Sequence, residues 1–121
     1  MLKTILITGA TDGIGLLTAQ KLATDGHQVI LHGRNEAKLK KAAELVGGVA
    51  VFQADLSHME EVIALAGAVR AQYETIDVLI NNAGILKTSD VETPAGRDIR
   101  FDVNTLAPYI LTKLLLPVMP Q

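Results

Sequence analysis

The sequence contains no cysteine, which excludes disulfide staples, thiol catalysis and thiolate-ligated zinc together. It has no tryptophan and only 3% aromatic residues, namely Phe52, Tyr73, Phe101 and Tyr109. A core this poor in rings must be built from Leu, Ile, Val and Ala, side chains that suit tight packing of helices on a sheet. Charge of neither sign is in surplus: eleven Lys+Arg stand against thirteen Asp+Glu, a formal charge of -2. Without a basic excess to neutralise a phosphate backbone, no nucleic-acid partner is expected. Long apolar runs are missing too. Val49-Ala50-Val51-Phe52 and Leu114-Leu115-Leu116 fall far short of a membrane span. Met1-Leu2-Lys3 passes within four residues into a β-like segment, leaving no separate signal region. A cytoplasmic protein is expected, and 121 residues make at most one domain.

What the chain does have is apolar pattern: 49% hydrophobic residues exclude disorder. Thr4-Ile5-Leu6-Ile7-Thr8 is β-branched and does not alternate, as a strand covered on both faces reads. Gly9 ends it. From Leu16 the spacing turns helical, with Leu16, Ala19 and Ala23 flanked by Leu17 and Leu22, up to Asp25-Gly26. Val29-Ile30-Leu31 reads as the second strand. Asn35 caps a predicted helix from Glu36 to about Val46 that Gly47-Gly48 closes. Val49 to Phe52 is the third strand. Ser57 and Glu60 have the spacing of a capping box for a helix reaching about Tyr73. Val78-Leu79-Ile80, led in by Ile76-Asp77, is the fourth strand. A loop follows from Gly84 to about Thr93, where Thr93-Pro94 is expected to start a short helical segment. From about Ile99 to Met119 the pattern is helical, carrying Phe101, Val103, Leu106, Ile110, Leu111, Leu114 and Leu115.

The order βαβαβαβα predicts an α/β fold, a parallel sheet with helices on both faces joined by right-handed crossovers. The sheet is expected to be incomplete, because the fourth strand lacks a following neighbour. Leu114-Leu115-Leu116 has no evident packing partner, and Pro117 and Pro120 end a segment. Both features point to a missing half.

Between the first strand and first helix lies Thr8-Gly9-Ala10-Thr11-Asp12-Gly13-Ile14-Gly15. Glycines there permit the turn, admit a phosphate close to the backbone and let the helix sit near the sheet. Free N–H groups at the helix start then face a pyrophosphate. No Gly-Lys-Ser/Thr closes the turn, so it is not a P-loop. Its spacing, G-x-x-x-G-x-G, is one residue longer than the ordinary dinucleotide fingerprint.

With Asp55-Leu56 after the third strand, Asn81-Asn82-Ala83-Gly84 after the fourth and Val103-Asn104 in the last helix, the chain resembles the short-chain dehydrogenase/reductase family. His32-Gly33-Arg34-Asn35 and Phe101-Asp102-Val103-Asn104-Thr105-Leu106-Ala107-Pro108 look most like its retinol-dehydrogenase-like branch. The resemblance implies a Rossmann-type doubly wound sheet with strand order 3-2-1-4. It implies that residues 1–121 are the N-terminal part of a single dinucleotide-binding domain. The remainder, with the catalytic Ser, Tyr and Lys, is then expected beyond Gln121. The implied activity is hydride transfer between a nicotinamide cofactor and a small-molecule carbonyl or alcohol, in an enzyme that forms a homo-oligomer. The alternative is a non-catalytic dinucleotide-binding or partner-binding module.

The resemblance also implies roles for single residues. Gly9, Thr11, Asp12, Gly13, Ile14 and Gly15 would hold the pyrophosphate. Gly33, Arg34 and Asn35 would face the adenosine ribose. An NAD site keeps a carboxylate at the end of the second strand. Here a guanidinium stands there, suited to a 2′-phosphate, so NADP is expected in preference to NAD. His32 would assist if it faced outward, while Asp12 argues the other way through like-charge repulsion. Asp55 and Leu56 are implied at the adenine, and Asn82, Ala83 and Gly84 along the cofactor cleft. Asn104 is the implied catalytic residue, its main-chain carbonyl holding a water in a proton relay. Pro108 has no N–H to bond that carbonyl.

Tyr109-Ile110-Leu111-Thr112-Lys113 reproduces the family's Tyr-x-x-x-Lys pattern on what reads as the wrong helix. At the helical 100° per residue Tyr109 lies about 140° round from Asn104, and Lys113 about 180°. Tyr109 is read instead as a packing or helix-interface aromatic. His27, His32 and His58 share no ligand spacing, so no metal site is expected. Ser57 reads as a cap rather than a nucleophile, and Glu60 and Glu61 as a solvated helix start without acid–base work.

Overall fold

A computed structural model describes residues 2–85, 88 and 91–120. Part of the expected loop after Gly84 (residues 86–87 and 89–90) lies outside the described residues, as does Gln121. The chain runs β1 (Thr4–Ile7), α1 (Gly13–Thr24), β2 (Gln28–Gly33), α2 (Glu36–Val46), β3 (Ala50–Gln53), α3 (Met59–Gln72) and β4 (Val78–Ile80). It continues through α4 (Ile99–Phe101), a π-helical segment (Asp102–Leu106), α5 (Ala107–Leu115) and a 3-10 turn (Leu116–Val118). The four strands form one parallel sheet in the order β3-β2-β1-β4, the Rossmann-type arrangement. Among the described residues no helix is long and apolar enough to cross a membrane.

Register explains how one sheet carries two cores. Leu6 lies opposite Ile30, while Ile5 and Ile7 lie opposite Val29 and Leu31. Successive strand side chains point to opposite faces. Leu6 and Ile30 therefore join Val62, Leu65, Val69, Leu111 and Leu115 beneath α3 and α5. Ile5, Ile7, Val29 and Leu31 meet Ala19, Leu39, Ala42 and Val46 of α1 and α2. Apolar faces on both sides are why β1 and β2 read as unbroken hydrophobic runs. β3, at an edge, instead alternates between half-buried and exposed.

Three local expectations are corrected. No Ser57–Glu60 capping box forms. The Ser57 hydroxyl donates to Asp55 Oδ1 (2.7 Å), because a carboxylate is a stronger acceptor than the hydroxyl is for a helix amide. α3 starts after His58, and it is Glu61 whose carboxylate reaches back, to the Asp55 N–H (2.9 Å). Thr93-Pro94 starts no helix either. Glu92 and Asp98 form an antiparallel bridge, closed by bonds from Thr93 N–H to Arg97 O and from Gly96 N–H to Thr93 O, each 2.8 Å. Gly96 takes the positive φ of 79° that this reversal needs, and Asp98 caps α4 by accepting from Arg100 N–H. Finally, Leu114-Leu115-Leu116 is not without a partner. Leu115 is fully buried against α3 and Leu114 packs at the edge of that core, while Leu116 alone is exposed.

The long helix also widens where Pro108 forbids an ordinary turn. Proline's ring clashes with the carbonyl four residues back and supplies no N–H. Ala107 N–H instead reaches Asp102 O, five residues back. Such widened turns recur near functional sites. Asp102 is fully buried in this segment, and its Oδ1 accepts from Arg97 Nε at 2.7 Å.

The two leucines of α5 separate packing from exposure. Leu111→Ala should destabilise the fold by about 2–5 kcal/mol, since a buried leucine leaves a cavity. Leu116→Ala should stay within about 0.5 kcal/mol. Urea midpoints measure both, and equal shifts would contradict the docking of α5 on α3.

Candidate functional site

The loops at the C-terminal ends of all four strands enclose one cleft of about 380 Å³. In a sheet of this topology that is where ligands bind, beside the point at which the strand order reverses. Here the reversal lies between β1 and β4, since the chain moves outward from β1 through β2 and β3 and then returns to β1's other side.

Thr8 holds the two sides of that point together. Its buried hydroxyl accepts from the N–H groups of Asn82 and Ala83, both at 3.1 Å. The Asn82 amide donates back to Gly9 O at 2.9 Å. This lacing brings the glycine turn so close to the end of β4 that side chains are excluded. A Cβ on Gly9, whose φ is +61°, would lie 2.7 Å from Ala83 Cα. One on Gly15 would collide with Gly9 O and the Asn82 amide. Both glycines are therefore required by close approach.

α1 opens with Asp12 as its N-cap, but the Asp12 side chain makes no capping bond. The first intrahelical bond to that residue comes from Leu16 N–H, so the preceding amides lack internal acceptors. Gly13 and Ile14, which carry two of them, line the cleft with Gly9, Thr11 and Asp12. Gly33 and Arg34 form a second wall, Asp55 and Leu56 a third, and Asn82, Ala83 and Gly84 a fourth. Twelve of the residues singled out in the sequence thus share one cleft.

Three do not line it. Gly15 is buried beneath the turn. Asn35 caps α2, accepting from Lys38 N–H at 3.0 Å. Asn104 spends its side chain on Ile85, accepting from the backbone N–H (2.8 Å) and donating to the carbonyl (2.7 Å). This pins the post-β4 loop to the π-helical segment, whose Val103 reaches the cleft. Sequence reasoning missed Ala54, Ser57, Ile85, Ile99 and Val103 as lining residues. Only the last two had a signal, their i, i+4 spacing on one helical face. Neither Tyr109 nor Lys113 lines the cleft. Tyr109 is 62% exposed, and Lys113 Nζ lies 5.9 Å from its ring.

His32 does not meet the condition set for assisting Arg34. It faces inward, only 2% exposed. Gly9 N–H donates to its Nδ1 (3.1 Å), and its Nε2 lies 2.9 Å from Ala54 O. Burial holds its pKa below the usual histidine value, against the opposing pull of the Ala54 carbonyl and of Asp55. For Asp55, burial opposes ionisation, but two bonds from Ser57, with His58 and Arg34 nearby, outweigh it and lower the pKa. The mouth of the cleft thus carries Asp12, an ionised Asp55 and the Arg34 guanidinium.

Residues 3–121 match the protein family described as short chain dehydrogenase. An uncharacterized oxidoreductase of Emericella nidulans is 44% identical over 115 residues, which is 92% of this chain and 45% of that protein. Retinol dehydrogenase 13 of Homo sapiens is 36% identical over 120 residues, covering 94% of this chain and 36% of its own length. A metagenomic short-chain oxidoreductase, solved in complex with NADP, superposes with a TM-score of 0.82 at 35% identity. That match covers 96% of this chain and 56% of the other. The chain spans less than half the length of these two curated relatives.

Two measurements test this geometry. Thr8→Val keeps the shape but strands the Ala83 N–H, leaving Asn82 N–H its second bond to Ile80 O (3.0 Å), and should cost about 1–3 kcal/mol while speeding hydrogen exchange at Ala83. Unchanged exchange would mean that the hydroxyl does not lace the loops. Because the fold keeps His32 neutral, the unfolded chain takes up its proton first. Its contribution to stability should be full above about pH 6.5 and decline as pH falls below that value. Denaturation midpoints of wild type and His32→Phe, compared across this range, read that slope, which the variant should lack.

Proposed function

Because this chain belongs to the short chain dehydrogenase family, we propose that it is the N-terminal part of a single dinucleotide-binding domain in an oxidoreductase. The complete enzyme would transfer hydride between NADP, in preference to NAD, and a small-molecule carbonyl or alcohol. One observation carries this reading: a single cleft combines the uncapped start of α1, a glycine turn too tight for side chains and the Arg34 guanidinium. Such a donor set fits a dinucleotide. Free amides at a helix start suit a pyrophosphate, and a guanidinium suits a 2′-phosphate. The NADP complex of the metagenomic relative supports the same cofactor.

In this reading the amides of Gly13 and Ile14 receive the pyrophosphate across the gap that Gly9 and Gly15 leave. Arg34 pairs with the 2′-phosphate and offsets the repulsion from Asp12. Asp55 is ionised and accepts from the adenine amine, with Leu56 beside the ring. Asn82, Ala83 and Gly84 give the flat nicotinamide end a wall without bulk. Asn104 is the catalytic residue of this portion, its main-chain carbonyl holding a water of a proton relay beside the widened turn. The bound cofactor supplies the hydride or accepts it. The catalytic Ser, Tyr and Lys belong to the part of the enzyme beyond residue 121, and the enzyme is a cytoplasmic homo-oligomer.

The competing reading is a non-catalytic dinucleotide-binding or partner-binding module. It draws on the cleft lining, which among the described residues includes no tyrosine or lysine. The chain alone should therefore show no turnover of aldehydes or ketones with NADPH. Turnover that Tyr109→Phe abolishes would overturn the assignment of Tyr109 outside the site. Calorimetry tests the cofactor. Arg34→Ala should weaken NADP binding by about 1.5–3 kcal/mol, a charged hydrogen bond's worth, and leave NAD nearly untouched. Equal losses for both would remove Arg34 as the discriminator, and a full-length protein that binds neither would overturn the function.

A further inference from the structure

His32 lies under the cleft, yet no step of the proposed chemistry uses it. It stands on β2 between two loops that come from other strands. Backbone bonds tie β2 to both of them: Ala10 N–H donates to His32 O (2.9 Å), and Ala54 N–H to Gly33 O (3.1 Å). The ring then spans the gap itself, taking Gly9 N–H on Nδ1 at 3.1 Å and meeting Ala54 O with Nε2 at 2.9 Å. Gly9 opens the turn assigned to the pyrophosphate, and Ala54 precedes the Asp55 assigned to the adenine. We propose that His32 is a positioning residue for the dinucleotide, its neutral ring tying the glycine turn to the loop after β3. This role rests on the cofactor reading given above.

The protonation state follows from the partners. A backbone amide only donates, so Nδ1 accepts and Nε2 carries the hydrogen that it donates to Ala54 O. A second proton on Nδ1 would face the Gly9 N–H, donor against donor, and that tether would part. Three charged groups line the cleft above the ring: Asp12 on the glycine turn, Arg34 just past β2 and Asp55 on the loop after β3, and of these Asp55 acts on it. Asp55 favours the protonated ring, and it is itself engaged by Ser57 and His58. Burial outweighs that pull and keeps the ring neutral near pH 7. Acidification through the ring's lowered titration range should therefore loosen the glycine turn and weaken dinucleotide binding.

Substitutions separate the two ends of the tether. Phenylalanine keeps the ring and removes both bonds. Asparagine places an acceptor near the Nδ1 position and restores only the bond from Gly9. In the full-length protein, His32→Phe should bind NADP about tenfold more weakly than wild type. His32→Asn should recover part of that loss. Wild type should lose affinity on acidification beyond the loss in His32→Asn, which shares any titration of the ligand's own phosphate. Nuclear magnetic resonance of wild-type protein labelled with ¹⁵N-histidine should show Nδ1 unprotonated at neutral pH. The Gly9 amide proton should shift together with the ring as it titrates. An Nδ1–H tautomer, a Gly9 amide blind to the titration, or unchanged NADP affinity in a folded His32→Phe would overturn the proposal. A wild-type protein that binds neither dinucleotide would overturn the cofactor reading and this role with it. Unchanged affinity in His32→Phe removes the role of His32 alone.

Discussion

The closeness of the β1–α1 turn to the end of β4 is the constraint on which the rest depends. It is set by one hydroxyl and one carboxamide: Thr8 accepts two backbone amides from beyond β4, and Asn82 answers by donating to Gly9 O. Each buried polar group thereby gains a partner, which makes the approach stable rather than merely possible. The same approach makes glycine necessary at positions 9 and 15. A helix start without side-chain capping is thus delivered to the point where the strand order reverses, and the cleft follows.

The packing beneath serves that geometry. Aliphatic side chains on both faces of β1 and β2 fix the two central strands between α1 and α2 on one side and α3 and α5 on the other. Strands held in this parallel register send their C-terminal ends to the same side of the sheet, so the loops that leave them converge. The hairpin-like turn through Glu92 and Asp98, with Arg97 on the buried Asp102, ties the approach to α4 onto the helix that brings Ile99 and Val103 to the cleft. The π-helical segment is the counterpart of Pro108: a ring that cannot donate forces a wider turn, and Asn104 lies within it, bonded to Ile85.

Electrostatics at the mouth is a balance rather than a patch. Asp12 and Asp55 bring negative charge, Arg34 brings positive charge, and His32 stays neutral because burial outweighs the pull of Asp55. A ligand that satisfies this set needs an anionic group beside Arg34 and donors toward Asp55. That combination is more restrictive than a uniformly basic cleft would be.

The βα alternation, the parallel sheet and most of the cleft's lining can be read off the residues alone. These depend on local signals: unbroken apolar runs for the two-faced strands β1 and β2, glycine spacing for the turn, and Asn35 with Gly47 for the ends of α2. Other features were decided by partners distant in the chain. Ser57 had the spacing of a cap, but Asp55 was the stronger acceptor for its hydroxyl. Thr93-Pro94 had the pattern of a helix start, yet Glu92 paired with Asp98 across a glycine reversal. Leu115 found α3, which no local spacing announces. His32 is the sharpest case. Its place near the end of β2 left open which way it faced, and Gly9 and Ala54 decided it by offering a donor and an acceptor on either side of a buried ring. Local pattern specifies elements because backbone bonding and burial act over a few residues. Which polar group pairs with which depends on the surfaces that folding brings together, and only the tertiary structure supplies them.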